Sequence, residues 1–188
     1  MEVRRQAQEA HNRLHGRQGL HLMQTYAGSF PAQRVAEFIE EGRRAGEQAV
    51  VVATGDHVQR LRQMTSTDPQ LKPILYIDAD EALNGFLVDG WPDPKRFDQT
   101  IGATVRAASG TDSGRVRAFG EMVSLLCDRG QAAAALELEK LWNGLGRATP
   151  LMLLCAYSED ALTEAGRLHD SIVAQHARIF GPPGQPGR

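Results

Sequence analysis

The stretch "RVRAFGEMVSLLCDRGQAAAALELEKLWNGL", Arg115 to Leu145, decides the fold class. Residues 115–120 form an apolar, strand-like run that ends in a glycine and a carboxylate, Gly120 and Glu121. A long helical pattern follows, in which Ala134, Leu138, Leu141, Trp142 and Leu145 make one apolar stripe. A strand that turns straight into a helix is the repeating unit of α/β proteins, and ligands usually bind at the carboxyl edge of such sheets. Glu121 stands at that edge. Three roles are open to it there: chemistry, holding a ligand, or favouring the start of a helix.

The same unit recurs on either side. Apolar runs occur at "HLMQTY" (21–26), "QAVVVAT" (48–54), "PILYID" (73–78) and "LMLLCAY" (151–157). They are nearly continuous rather than alternating, as strands covered on both faces should be. Between them, Val35, Phe38, Ile39 and Gly42 share a helix face after Pro31, which suits a first turn. Leu162, Leu168, Ile172 and Val173 predict a C-terminal helix. The expectation is a three-layer α/β fold: a mainly parallel sheet with helices on both faces. The connection from 79 to 114 is longer, with turn chemistry at "DGWPDPKRF" and "SGTDSG". Residues 1–19 read as a helical extension, 20–180 as the globular domain and 181–188, "GPPGQPGR", as a disordered tail.

Bulk properties exclude several classes. A chain of 188 residues, 41% apolar and 23% charged, can bury one full core. A net charge of -2 gives no bulk attraction to nucleic acid or anionic membrane. No apolar run approaches the roughly 20 residues of a membrane helix, and "MEVRRQAQEAHNRLHG" is too polar for a signal peptide. Cys127 and Cys155 match no disulfide or metal spacing. The expected location is the cytoplasm.

The turns after the strands carry Tyr26 to Ser29, Thr54 to His57, Asp78 to Glu81, Gly120-Glu121 and Tyr157 to Asp160. The bland reading makes Ser29, Asp56, Asp80 and Ser158 N-caps. Together they form a polar rim, the default place for a ligand. A P-loop needs G-x-x-x-x-G-K-[ST], and "YAGSFPAQR" has neither the second glycine nor the Gly-Lys-Ser/Thr. "ILYIDAD" resembles a strand bearing a magnesium-site aspartate, Asp78, but lacks the cradle. Ordinary nucleoside triphosphate hydrolysis is therefore not expected. His11 and His15 are spaced for one helix face but have no third ligand; Cys155 reads as a core thiol, and "GTDSG" as a turn. No catalytic residue, cofactor or metal is expected.

The spacing of these pieces resembles the MEDS domain, the methanogen/methylotroph DcmR sensory domain, over about residues 20–180. The resemblance rests on Arg117 to Met122, on Leu138-Glu139 with Leu141-Trp142-Asn143, and on Leu154 to Tyr157. His21, Tyr26, Gly42, Gly46-Glu47, Asp78 and a late histidine fit as well. Cys127 stands where the family pattern suggests an aromatic residue. The resemblance implies a RecA/KaiC-like fold without its phosphate loop. It also implies a sensory role toward small organic compounds, in signalling or transcription control. Such domains occur alone or joined to output modules; here output is expected through a partner protein or through self-assembly.

The leading reading is thus a non-catalytic sensing domain with His21, Tyr26, Asp78, Arg117, Glu121, Trp142 and Tyr157 as ligand-binding residues. Arg117 and Glu121 share a face if Glu121 is still extended. Two other readings stand beside it. One is a RecA-like nucleotide-binding or hydrolytic enzyme, with Asp78 as metal ligand and Glu121 as general base. The other is a ligand-free interaction scaffold using the alanine-rich "QAAAALELEKLWNGL".

Overall fold

A computed structural model describes residues 19–110 and 113–181. The expected N-terminal helical extension, with His11 and His15, and the expected tail lie outside the described residues, Gly19 and Gly181 apart.

Six strands form one sheet: β1 (Leu20–Tyr26), β2 (Gln48–Ala53), β3 (Leu75–Asp78), β6 (Val116–Gly120), β7 (Leu151–Ser158) and β8 (Arg178–Phe180). Their spatial order is β3-β2-β6-β7-β1-β8, and every neighbouring pair is parallel. The five strands read from the sequence are all present. β2 and β6 are buried along their whole length, which explains their unbroken apolar runs.

The helices follow from the strand order. From β1 the chain moves one way across the sheet, through α1 (Ala32–Arg44) to β2 and through α2 (Gly55–Met64) to β3. It then reverses, running from β3 to β6, β7 and finally β8. Parallel crossovers are right-handed, so reversing direction puts the later helices on the opposite face. These are α3 (Ala79–Phe86), α4 (Pro94–Phe97), α5 (Ala103–Ser109), α6 (Met122–Asp128), α7 (Ala132–Ala148), α8 (Glu159–Glu164) and α9 (His169–Val173). Side chains alternate between the faces along each strand. Val50, Val52, Val116, Ala118, Leu153 and Cys155 face the larger helical layer. Ala49, Val51, Ala53, Phe119, Leu154 and Ala156 face the α1–α2 layer.

That smaller layer is incomplete. α1 packs over β6 and β2, and α2 lies against β2 and β3. Among the described residues no helix covers β1, β7 and β8 on this side, and a groove remains.

Three local features depart from the sequence reading. The segment read as a turn at "DGWPDPKRF" holds the tip and second strand of a small antiparallel ribbon, β4 (Leu87–Val88) with β5 (Trp91–Pro92). Asp89 and Gly90 both take positive φ at its tip, the Asp-Gly signature of a two-residue hairpin. The expected C-terminal helix is broken into α8, a 3-10 turn at Gly166–Leu168 and α9, with Gly166 at φ 54°. β8 was not expected: three residues are too few for a period to register.

Close approach needs glycine at two points. A Cβ on Gly42 of α1 would lie 2.7–2.8 Å from the Arg117 side chain. A Cβ on Gly19 would lie 2.5 Å from the backbone oxygen of Gly146, where the start of β1 passes the end of α7.

Candidate functional site

Arg117 is the second residue of β6 and points to the α1 face, one per cent exposed. Its Nε donates to Glu47 Oε2 at 2.7 Å, and Nη1 lies 3.5 Å from Glu41 Oε2. The guanidinium carbon lies 4.8 Å from the Phe38 ring centre. Nη2 is buried and has no hydrogen-bond partner among the described residues. Burying a guanidinium is costly, and leaving one of its nitrogens unpaired adds to that cost. The same side chain lines the groove left open by α1.

This groove has a volume of about 350 Å³. Leu20, Leu22, Met152, Leu154 and Phe180 give it apolar walls, and Arg34, Glu37, Glu41 and Arg178 supply charge. Apolar lining with a few convergent polar groups is the ordinary composition of a small-molecule site.

At the carboxyl edge, Gly120 Cα faces Trp142, whose ring lies 4.0 Å from where a Cβ would be. Glu121 occupies the position before α6 but does not cap it. One carboxylate oxygen accepts the Thr54 N–H; the other lies 2.7 Å from His57 Nδ1. Phe30 stacks on His57 with ring centres 3.8 Å apart, and Tyr26 meets Phe30 edge-on at 6.2 Å. Burial, with the Glu121 charge adding to it, pushes the Tyr26 phenol up to about 12. Glu121 thus ties β6 to the turn after β2, and the conditional pairing with Arg117 is not made. The chain has already left extended geometry at Glu121, at φ -125° and ψ 4°.

Asp78 Oδ1 accepts the backbone N–H groups of Asp80 and Glu81 at 2.9 and 3.0 Å. Asp78, not Asp80, is the N-cap, because α3 begins directly at Ala79 with no intervening loop. Ser158 is a cap as expected, accepting from Ala161 N–H. Ser29 and Asp56 are not: Pro31 and Thr54 occupy the positions before α1 and α2.

The remaining expected residues meet behind β1 and β7, under α7. His21 and Tyr157 converge there on Glu139, which is fully buried. The Tyr157 hydroxyl donates to Glu139 Oε1, and His21 Nε2 lies 3.2 Å from Oε2. Cys155 Sγ is 3.2 Å from the same His21 nitrogen. His176, in the segment before β8, brings Nε2 to 3.2 Å from Glu139 Oε1. Burial is the main influence on His21 and lowers its pKa, against the Glu139 charge. Burial pushes the Cys155 thiol and the Tyr157 phenol up, and Glu139 adds to both shifts. Burial alone would raise Glu139 too, but the two histidines and the Tyr157 hydroxyl hold its carboxyl below the ordinary value. Trp142 lies one helical turn along α7 from Leu138, two per cent exposed and edge-on to Phe97 at 5.4 Å.

The expected residues therefore occupy three places: Arg117 in the groove, Tyr26, Asp78 and Glu121 at the carboxyl edge, and His21, Trp142 and Tyr157 behind β1 and β7. Glu139 and His176 were not assigned as site residues from sequence. Glu139 lies within a charged helical segment, and His176 lies in the short turn before β8, where no period registers.

The parallel sheet with helices on both faces defines an α/β protein of the three-layer kind. The family model described as MEDS, MEthanogen/methylotroph, DcmR Sensory domain, matches residues 21–177, and the chain belongs to this family. No curated protein matches the sequence. A solved structure from Pyrococcus horikoshii OT3, described only as a structural study, is similar at a TM-score of 0.56 with 12% identity. The likeness covers 88% of this chain and 83% of that one, and it speaks to the fold alone. Among the described residues no helix is long and apolar enough to cross a membrane.

Proposed function

We propose that the chain is a non-catalytic sensing domain that takes a small oxygenated organic molecule into the groove beside α1. It passes the signal to a partner protein in signal transduction or transcription control. The observation that carries this reading is Arg117: a guanidinium held in place by Glu47, with one buried nitrogen left unpaired, lining an apolar groove. A carboxylate, carbonyl or hydroxyl oxygen that displaces the side chains covering this buried nitrogen would satisfy it while an alkyl portion lies against Leu22, Met152 and Leu154. Membership of a family described as a sensory domain supports the same reading. So does the turn after β1, where Phe30 is buried beneath His57 in the segment that a phosphate loop would need.

Thermal shift and native mass spectrometry test it, with acetate, butyrate, hexanoate, octanoate, the matching primary alcohols and magnesium-ATP as probes. At least one carboxylate or alcohol should raise the melting temperature, and Leu154→Trp, which fills the groove without touching a charge, should abolish the shift. No shift with any carboxylate or alcohol, and no retained small molecule in the native spectrum, would remove the groove as the sensing site. A shift with magnesium-ATP alone would return the RecA-like nucleotide reading.

A further inference from the structure

The cluster behind β1 and β7 lies on the opposite face of the sheet from the groove. His21 from β1, Glu139 from α7, Cys155 from β7 and His176 from the segment before β8 each point one donor atom to a common centre. The four donor atoms all lie within 4.8 Å of one another.

The hydrogen bonds around the cluster fix which atoms face inward. His176 Nδ1 lies 3.0 Å from the Ile172 carbonyl oxygen, which can only accept, so Nδ1 carries the proton. Asn143 turns its amide nitrogen to the Gln175 carbonyl and side-chain oxygens at 3.1 Å each, so its own oxygen faces His21 Nδ1 at 3.0 Å. That nitrogen is also a donor. Both imidazoles therefore turn Nε2 toward the Glu139 carboxylate, 3.2 Å away on each side. His176 Nε2 is buried and has no hydrogen-bond partner among the described residues, and its side chain is fully enclosed. In a dry core, an imidazole lone pair facing a carboxylate is repelled unless a proton or a metal cation stands between them. A cation at their centre removes the conflict.

We propose that His21, Glu139, Cys155 and His176 bind one divalent transition-metal ion, with zinc the best match to the donor set. Two neutral imidazoles, one carboxylate and one thiolate give a complex of zero net charge around a divalent ion, as a fully buried site requires. Tetrahedral bonds of about 2.0–2.3 Å place neighbouring donors roughly 3.3–3.8 Å apart. The observed separations of 3.2 Å from His21 Nε2 to Cys155 Sγ and 4.0 Å from that sulfur to Glu139 Oε2 need only small adjustments. On binding, the Cys155 thiol gives its proton to solvent and the sulfur becomes a thiolate ligand. Asn143, the Ile172 carbonyl and the Tyr157 hydroxyl are the outer groups that orient the ligands. Four protein donors leave no open position, which is the pattern of a structural or sensing site rather than a hydrolytic one. The sequence reading expected no metal, because the ligands come from four separate elements and have no local spacing.

The test uses the full chain, stripped with a chelator and titrated with zinc and, separately, cobalt(II). The expected result is one metal per chain, with cobalt showing tetrahedral d–d bands and a thiolate-to-cobalt charge-transfer band. Cys155→Ser should lose that band, His176→Gln should weaken zinc binding, and Asn143→Ala should weaken it about 10- to 100-fold. His11→Ala with His15→Ala should leave zinc binding unchanged. Folded protein by circular dichroism that takes up no zinc overturns the proposal. So does binding that persists in His176→Gln, or that disappears in the His11/His15 variant. Should Cys155→Ser not fold, the wild-type cobalt spectrum decides: tetrahedral cobalt without the charge-transfer band removes Cys155 from the site.

Discussion

Gly42→Ala is the sharpest test of how α1 meets the sheet. Two effects oppose each other. In an open helix, alanine for glycine gains roughly 0.8–1.0 kcal/mol of helix propensity, and burying the added methyl contributes up to about 0.8 kcal/mol more. At Gly42, however, the new Cβ would stand 2.7 Å from Arg117 Nε and 2.8 Å from both Cβ and Cγ. Two of those atoms belong to the stem, close to the β6 backbone, and the guanidinium is anchored to Glu47. Arg117 has little freedom to retreat, so α1 must lift from the sheet. Overpacking of this kind costs roughly 1–3 kcal/mol. Disturbing a buried ion pair adds to it, since breaking one outright costs about 3–5 kcal/mol. The steric side wins, and the expected net loss is about 1–3 kcal/mol. Urea denaturation should show a lower midpoint with an unchanged slope. In an Arg117→Met background the stem contacts persist, so a loss should remain there too. A Gly42→Ala protein as stable as the parent, or more so, would refute the close contact.

Trp142→Ala should cost roughly 3–5 kcal/mol, as for a large aromatic removed from a packed core, because the ring fills the space between Phe97 and Gly120. An unchanged denaturation midpoint would show that the ring is not packed there. Stability should also fall as pH rises into the alkaline range. Burial, with the Asp128 and Glu139 charges adding to it, pushes the Cys127 thiol from 9.0 up to about 12, and Tyr26 rises from 10.0 to about 12. The folded chain keeps protons that the unfolded chain releases, so these contributions are full below pH 9 and 10 respectively and are lost toward about 12. Urea midpoints in that window should decline less steeply in Cys127→Ala; an identical slope would remove Cys127 from the account.

What the sequence determined by itself was the set of units and the family. Unbroken runs such as "QAVVVAT" and "LMLLCAY" mark strands covered on both faces, and the stripe through Leu138, Trp142 and Leu145 marks a helix against them; both are short-range patterns that a linear reading captures. The segments around Arg117, Trp142 and Tyr157 likewise carried the resemblance to the MEDS family. Partners were a different matter. Arg117 and Glu121 are four residues apart on one chain, yet their side-chain partners are Glu47 and His57, brought in from other elements. The groove exists because the chain crosses the sheet in one direction for only two helices, a property of strand order rather than of any residue. Glu139, His21, Cys155 and His176 converge from β1, α7, β7 and the approach to β8. Sequence periodicity records which face of an element is apolar. Which distant side chains share that face is decided only when the sheet closes its order.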